Sequence, residues 1–422
     1  MYALVDCNNF YVSCERIFNP SIKNKPVVVL SNNDGCIISR SEEAKKIGVA
    51  MGAAHYQYKK LFQEKNVKVF SSNYALYADI SERVMNILYQ YTPEIEIYSI
   101  DESFLKFNGY DDFFKIETVA HQIRKEILKG VGIPTCIGLA QTKALAKVAN
   151  RIAKKFPDQL QGIYLIDNEE KRIKALKWLP IEDVWGIGRR LAARLRLLNI
   201  NTAYDYTLLS DQYIRKEFSV VELRLKKELL GESVLKLDEI KSKKNIATTR
   251  SFERDEKDIE FLKERVTTFA VSCAEKLRKQ NSCANLISIF IQTNPKKETP
   301  QYRRTIVLQL PHASNSNITL AKYAVKGLEQ IFRAGYAYKK AGIIVSGFIN
   351  ADQKQLNLFQ DDDSRHNNLM KTIDLLNKKI GEPKIKLASQ DLERTWKMKQ
   401  DYLSKNYTTN INQIIEIDLN LA

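Results

Sequence analysis

The chain begins with an unbroken apolar run, Tyr2–Val5, that stops at Asp6, and Val27–Leu30 is a second run of the same kind. Short apolar runs without alternation read as strands buried on both faces. Glu94–Tyr98 and Phe104–Phe107 alternate instead, like the arms of a hairpin, and Asp101-Glu102 lies between them. Pro134–Leu139 reads as a further strand. Between these runs the period becomes helical: Ser41–Ile47 with Ser41 as its cap and Gly48 as its stop, the amphipathic Val119–Leu128, and Thr142–Lys155. This order predicts an α+β domain with an antiparallel core sheet over residues 1–165. Residues 166–235 lose the strand pattern and read as all-helical. Residues 246–350 regain it, with Leu286–Gln292, Thr305–Leu310 and Gly342–Ile349 as strands and Val266–Leu277 and Leu320–Phe332 as helices. Lys241-Ser242-Lys243-Lys244-Asn245 reads as a basic tether. After Ile349 the chain turns polar, Asp361-Asp362-Asp363 marks a break, and Leu369, Ile373, Leu376 and Ile380 fall on one helical stripe.

With 422 residues, 44% of them hydrophobic, the chain is long enough for several folded cores. Its formal charge of +16 suggests a polyanionic partner, although a lysine-rich surface from an AT-biased genome gives the same sum. Six cysteines are scattered, none in Cys-x-x-Cys, and the four histidines stand apart from them. That argues against a zinc site or a disulfide framework and for a reducing, cytoplasmic setting. Met1 leads directly into a strand, so no signal peptide is expected. Val27–Leu30 is too short to span a bilayer, so no membrane partner is expected.

The candidate chemistry lies at strand ends. Asp6 ends one run, and Asp101-Glu102 sits beside another. Taken singly, each reads as a turn or cap residue. Together, three carboxylates on neighbouring strands make a site for two divalent cations, the usual apparatus of phosphoryl or nucleotidyl transfer, with Mg²⁺ expected from all-oxygen ligation. Asp6 and Asp101 would bridge both ions, Glu102 would complete one, and the backbone carbonyl of Cys7 would add an oxygen. On a basic chain the phosphate-rich substrate is nucleic acid.

Ordered motifs strengthen that reading. Asp6-Cys7-Asn8-Asn9-Phe10-Tyr11, Ser41-Glu42-Glu43-Ala44-Lys45-Lys46-Ile47-Gly48-Val49, Ser99-Ile100-Asp101-Glu102-Ser103-Phe104, Gly138–Lys147 and Trp185-Gly186-Ile187-Gly188 closely resemble, in order, the Y-family translesion DNA polymerases. The tail, with Trp396-Lys397-Met398-Lys399 and Leu403–Thr409, resembles the UmuC branch, the catalytic subunit of bacterial DNA polymerase V. The resemblance implies a right-hand-like fold: palm at 1–21 and 76–165, small fingers at 22–75, helical thumb at 166–240, α/β little finger at 241–350, and a C-terminal tail at 351–422. It implies Asp6, Asp101 and Glu102 as catalytic metal ligands. Phe10 and Tyr11 would lie by the nucleotide, with Tyr11 as the ring that rejects a 2′-hydroxyl. Ser39, Lys45 and Lys154 would contact the triphosphate, and Cys36 and Ile38 would roof the nascent base pair. Taken alone, Tyr11 reads as a core tyrosine and the two lysines as solvated helix faces.

One position departs from the family. Where many members carry Tyr three residues before an Arg, this chain has Glu42 and Lys45. Lys45 keeps the charge without the guanidinium fork, and Glu42 cannot donate to phosphate.

Gly186-Ile187-Gly188 reads as a helix-hairpin-helix, or else as a plain helix connection. In the first case Gly186, Gly188 and Arg189 would hold DNA phosphates. Arg250, in a stretch that resembles the start of the little finger, would be another phosphate contact. Gln355-Leu356-Asn357-Leu358-Phe359 matches the peptide by which bacterial polymerases dock on the sliding clamp, with Gln355, Leu356, Leu358 and Phe359 as its anchors. The helical stripe beyond it either packs on the little finger or docks a UmuD-type subunit and a RecA filament. The expected function is error-prone, template-directed translesion synthesis from deoxynucleoside triphosphates on primer–template DNA, in the cytoplasm and at the nucleoid. A DinB-like stand-alone polymerase, a two-metal nuclease and a non-catalytic clamp adaptor are the alternatives.

Overall fold

The computed structural model describes residues 1–109, 115–238, 242–353, 365–380, 384–391 and 398–415. They belong to two compact units, Met1–Glu239 with Met398–Ala422, and Ile240–Lys397.

The first unit is built on a five-stranded sheet in the order Ile95–Ile97, Glu102–Lys106, Tyr2–Cys7, Thr135–Ala140, Ile163–Ile166. Tyr2–Cys7 lies at the centre, antiparallel to both neighbours, and the last two strands run parallel. The central strand does not alternate because both of its faces are covered. Ala3, Val5 and Cys7 enter a core with residues of helices Tyr74–Leu88 and Ile116–Val131. Tyr2 and Leu4 face the opposite way, into a core with helix Lys143–Lys155 and the helices that follow. The expected hairpin forms, with Ile95–Ile97 antiparallel to Glu102–Lys106.

A smaller sheet, Ile37–Arg40, Val27–Leu30, Lys68–Ser71, has its own core of Val28, Leu30, Ile37, Ala44, Val49 and Phe62. Helix Glu42–Lys46 beside it is capped as its sequence predicts: Ser41 Oγ accepts the Ala44 N–H at 3.2 Å. The chain leaves that helix at Gly48, whose φ of 85° favours glycine. The region read as all-helical contains Glu169–Trp178, Arg189–Arg196, Ala203–Thr207, Asp211–Glu217 and Val220–Leu229. The chain from Met398 also belongs to this unit. It lies along the edge strand Lys68–Ser71, where the Tyr402 carbonyl accepts the Ser71 N–H at 3.0 Å.

The second unit is an antiparallel sheet in the order Arg303–Ser314, Ser282–Thr293, Tyr338–Asn350, Ile246–Glu256. Helices Ile259–Lys279 and Asn317–Ile331 share its core with Ile287, Ile289, Ile343 and Val345. A further helix, Arg365–Ile380, is fastened by Met370, which is buried, and by Asp374, which pairs with Arg278 at 2.6 Å. The sequence stripe is therefore not the packing face: Leu369, Leu376 and Ile380 are exposed, and only Ile373 of the four is half-buried. Gln355, Leu356, Leu358 and Phe359, like Asp361–Asp363 and Trp396, lie outside the described residues. Among the described residues no helix is long and apolar enough to cross a membrane.

Candidate active site

Alternation along the central strand puts Asp6 on the face of Leu4, and the sheet register sets Glu102 directly opposite Asp6. Helix Lys143–Lys155 crosses this face, with Thr142 as its cap. It approaches closely because Gly138, the register partner of Leu4, has no side chain: a Cβ there would stand 2.2 Å from the Ala146 carbonyl oxygen. Lys147, Arg151 and Lys154, spaced i, i+4 and i+7, project over the carboxylates. Lys154 Nζ lies 2.5 Å from Asp6 Oδ2, and Lys147 Nζ lies 2.9 Å from Glu102 Oε2 and 4.4 Å from the centre of the Tyr98 ring. Arg151 pairs with Asp183. Asp6, Glu102, Lys147, Arg151, Lys154 and Asp183 line a cavity of about 260 Å³, with Trp185 in its wall. Lys154 was expected here. Lys147 and Arg151 are functional candidates that the sequence reading passed over, although their spacing from Lys154 was a usable signal.

Asp101 stands apart from that pair. Its backbone carbonyl accepts the Cys7 N–H at 2.9 Å, so the main chain at Cys7 and Asp101 is joined. Its carboxylate, however, accepts from Ser99 Oγ at 2.6 Å. Asp101 lies in the bend before strand Glu102–Lys106, and Ser99 Oγ also accepts the Asp101 and Glu102 N–H groups at 3.3 and 3.0 Å, which ties the bend together. Among the described residues no three His, Cys, Asp or Glu side chains already surround one metal position. The structure thus brings Asp6 and Glu102 together and keeps the third carboxylate nearby, turned to Ser99.

The Asp6–Glu102 pair nonetheless suits a cation. Asp6 is 5% exposed, and its Oδ1 is buried with no N–H or O–H donor. Facing another carboxylate, it is satisfied by a shared proton or by a metal ion, and hard oxygen donors fit a divalent cation. Burial pushes the Asp6 carboxyl up to about 7, against the pull of Lys154. Burial opposes the charge on Glu102 as well, but Asp6 and Lys147 outweigh it and hold that carboxyl below the usual range.

A pH effect follows. Asp6 titrates higher in the folded chain, at about 7, than its ordinary 3.8. The folded state therefore binds the extra proton, and this group's stabilising contribution, full below the ordinary value, is lost as pH rises through 7. In metal-free buffer Asp6→Asn should raise the melting temperature relative to wild type more at pH 8 than at pH 5. Mg²⁺ should narrow the gap at pH 8 by stabilising the wild-type carboxylate. An equal difference at both pH values would contradict the assignment.

Beyond Cys7 the strand turns sharply. Asn9 has φ 47°, a left-handed conformation that Asn tolerates, and helix Phe10–Phe18 starts at once. Tyr11 is half-buried with its ring stacked on Tyr77. Phe10, expected beside the nucleotide, is 3% exposed and sits in the core, because the helix turns that position inward. Its ring centre lies 5.8 Å from that of Tyr11.

Three residues gather at the Asn9 turn. Ser39 Oγ donates to the Asn9 carbonyl at 3.5 Å, Asn9 Nδ2 donates to Glu42 at 3.1 Å, and Lys45 pairs with Glu42 at 2.6 Å. Glu42, the departure from the family pattern, thus ties Lys45 to the turn. Burial opposes its charge, but Lys45 and Asn9 hold its carboxyl below the usual range. Cys36 and Ile38 are half-buried, while Ile37 between them is fully buried.

Farther along, Gly186 has φ 90° and Gly188 precedes helix Arg189–Arg196. Gly186, Gly188, Arg189 and Arg190 are exposed. In the second unit Arg250 is exposed on strand Ile246–Glu256.

Residues 5–151 match the impB/mucB/samB family, residues 243–358 match its C-terminal domain, and residues 367–417 match a domain of unknown function (DUF4113). Protein UmuC of Salmonella typhimurium is 40% identical, over 99% of this chain and 100% of its own length. DNA polymerase IV of Clostridium kluyveri is 28% identical, over 92% of this chain and 97% of its own. A Y-family DNA polymerase chimera, Dbh-Dpo4(243-245)-Dbh, superposes with a TM-score of 0.68 at 22% identity, over 82% of this chain and 99% of its own, and so shares the fold. The chain belongs to the impB/mucB/samB family and, within it, to the UmuC branch of the Y-family DNA polymerases.

Proposed function

We propose that this polymerase performs error-prone translesion synthesis in the SOS response by two-metal nucleotidyl transfer. The observation that carries the reading is the pairing of buried Asp6 with half-buried Glu102, each held by a lysine of one helix, at the strand end that leads to Tyr11. Asp6, Asp101, Glu102 and the Cys7 carbonyl would hold two Mg²⁺ ions, with Asp101 released from Ser99. Such ions supply the charge that lowers the pKa of a primer 3′-hydroxyl and neutralises leaving pyrophosphate. The hydroxyl gives its proton to water, its oxygen forms the new bond to the α-phosphorus, and the bond from that phosphorus to the bridging oxygen breaks and releases pyrophosphate. Lys154, Lys45 and Ser39 bind the triphosphate, Tyr11 blocks a 2′-hydroxyl, and Cys36 with Ile38 lies over the base pair. Gly186, Gly188 and Arg189 hold backbone phosphates through exposed amides and charge, and Arg250 adds a phosphate contact in the second unit.

In this reading residues 1–21 and 76–165 are the palm, 22–75 the fingers, 166–240 the thumb, 241–350 the little finger and 351–422 the tail. The partners are primer–template DNA, a sliding clamp, a UmuD-type subunit and a RecA filament, in the cytoplasm at the nucleoid. Primer extension on undamaged and abasic templates, with and without those partners, tests it. Template-directed extension past the abasic site is the expected result. Intact DNA binding without extension under any condition would favour a non-catalytic adaptor, and primer degradation would favour a nuclease. Deleting Gln355–Phe359 should remove stimulation by the clamp and leave unstimulated extension within about twofold, because a docking peptide adds local concentration and no chemistry. Equal stimulation with and without the peptide would sink the docking role.

A further inference from the structure

The stretch Met398–Thr409 is bound at both ends of a short path across the first unit. At one end Tyr402 exchanges two hydrogen bonds with Ser71: its carbonyl accepts the Ser71 N–H at 3.0 Å, and its N–H donates to Ser71 Oγ at 3.0 Å. At the other end the Tyr407 ring stacks on Phe18, the last residue of Tyr11's helix, with centres 4.7 Å apart. Between them Ser404 reaches inside. Its Oγ donates to Glu15 Oε1 at 3.1 Å and accepts from Asn73 Nδ2 at 3.1 Å. Asn73 caps helix Tyr74–Leu88 by accepting the Leu76 N–H.

Glu15 is the hinge of this network. It lies one helical turn beyond Tyr11 and is 1% exposed. The same Oε1 that meets Ser404 accepts the Tyr77 hydroxyl at 2.7 Å. Tyr77 is fully buried, and its ring stacks on Tyr11 with centres 4.6 Å apart and planes 20° from parallel. Tyr74 meets Tyr11 edge-on at 6.0 Å. Burial lifts the Glu15 carboxyl to about 7 against the hydroxyls of Tyr77 and Ser404. A buried carboxyl held by hydroxyls is a poor source of stability compared with an apolar side chain. What it does supply is direction, because it fixes the Tyr77 phenol and the tail to one point.

We propose that Glu15, Tyr77 and Ser404 are positioning residues for sugar selection: the C-terminal strap holds the Tyr77 ring through Glu15, and that ring sets the place of Tyr11. The proposal rests on the reading of Tyr11 as the ring that meets the sugar. A steric filter depends on placement at the scale of about 1 Å, so loosening its support relaxes selection before it slows the chemistry. It also gives part of the region of unknown function a task within the polymerase unit.

The test is the ratio of ribonucleotide to deoxynucleotide kcat/KM in primer extension by the full chain, for wild type, Tyr11→Ala, Tyr77→Phe, Ser404→Ala and Glu15→Gln. Tyr11→Ala should give the largest rise in the ratio. Tyr77→Phe and Ser404→Ala each remove one hydroxyl. They should raise the ratio roughly three- to tenfold, the worth of one hydrogen bond, with deoxynucleotide kcat/KM within about twofold of wild type. A rise for Tyr11→Ala alongside wild-type ratios for Tyr77→Phe and Ser404→Ala would overturn the positioning role and leave Tyr11 in place. No rise for Tyr11→Ala would remove the reading beneath it and the proposal with it. Glu15→Gln should match Tyr77→Phe; should it fail to fold, the two hydroxyl variants decide.

Discussion

Asp101→Ala is expected to lower primer extension by on the order of 10³-fold while leaving the fold and DNA binding nearly intact. A bound metal ion supplies several kcal/mol of charge stabilisation in the transition state, and each 1.4 kcal/mol is tenfold in rate. Asp101 is a cleaner probe than Asp6. Truncating Asp6 would also remove the ion-pair partner of the exposed Lys154, whose Nζ sits 2.5 Å from Asp6 Oδ2. The Asp101 side chain is half-buried and accepts from Ser99, while its structural tie to Cys7 runs through the backbone carbonyl and survives the change. The stability loss should therefore be about 1 kcal/mol, the worth of one hydrogen bond. Single-turnover extension, a melting curve and a primer–template titration on the same preparation separate these effects. Activity within tenfold of wild type would mean that Asp101 holds no catalytic ion.

The carboxylates were legible because chemistry at strand ends leaves a local mark: an apolar run, then an acid. Ser41 before its helix and Gly48 after it were legible for the same reason, since caps and stops act within one turn. What escaped was set by distant parts of the chain. Strand Ile246–Glu256 mixes buried and exposed positions without a clean period, so no strand pattern announces it. The inward turn of Phe10 depends on how its helix meets the core. Lys147 and Arg151 become site residues only when helix Lys143–Lys155 lies over Asp6 and Glu102. The strap is the extreme case: Ser404 meets Glu15 across 389 positions, and nothing periodic in either segment points to the other. Glu42 was rightly left out of the phosphate contacts as a non-donor, but its hold on Lys45 and Asn9 needed coordinates.

Gly138→Ala should be the most damaging single methyl group in the site. Gly138 and Gly188 each follow an isoleucine in the sequence, yet their surroundings differ. A Cβ at Gly138 would lie 2.2 Å from both the Ala146 carbonyl oxygen and the Asn150 nitrogen, backbone atoms that cannot swing aside. Helix Lys143–Lys155 must then lift off the central strand. That motion pulls on Asn150, whose side chain donates to the Cys136 carbonyl at 2.8 Å, and carries Lys147 and Lys154 away from Glu102 and Asp6. Overpacking against side chains costs about 1–3 kcal/mol, and against backbone the upper end applies, about 3 kcal/mol or more. For a unit of this size that lowers the melting temperature by roughly 6–12 °C. Extension measured well below melting should still fall, because the lysines leave the carboxylates even where the chain stays folded. A Cβ at Gly188 meets nothing within 4 Å. With φ of −81° the backbone accepts alanine there, and Gly188→Ala should cost no more than about 1 kcal/mol, the loss of a favoured residue at the helix start. Melting curves for the pair decide it: equal losses would mean that strand and helix do not meet at Gly138, and that the lysines reach the carboxylates by another route.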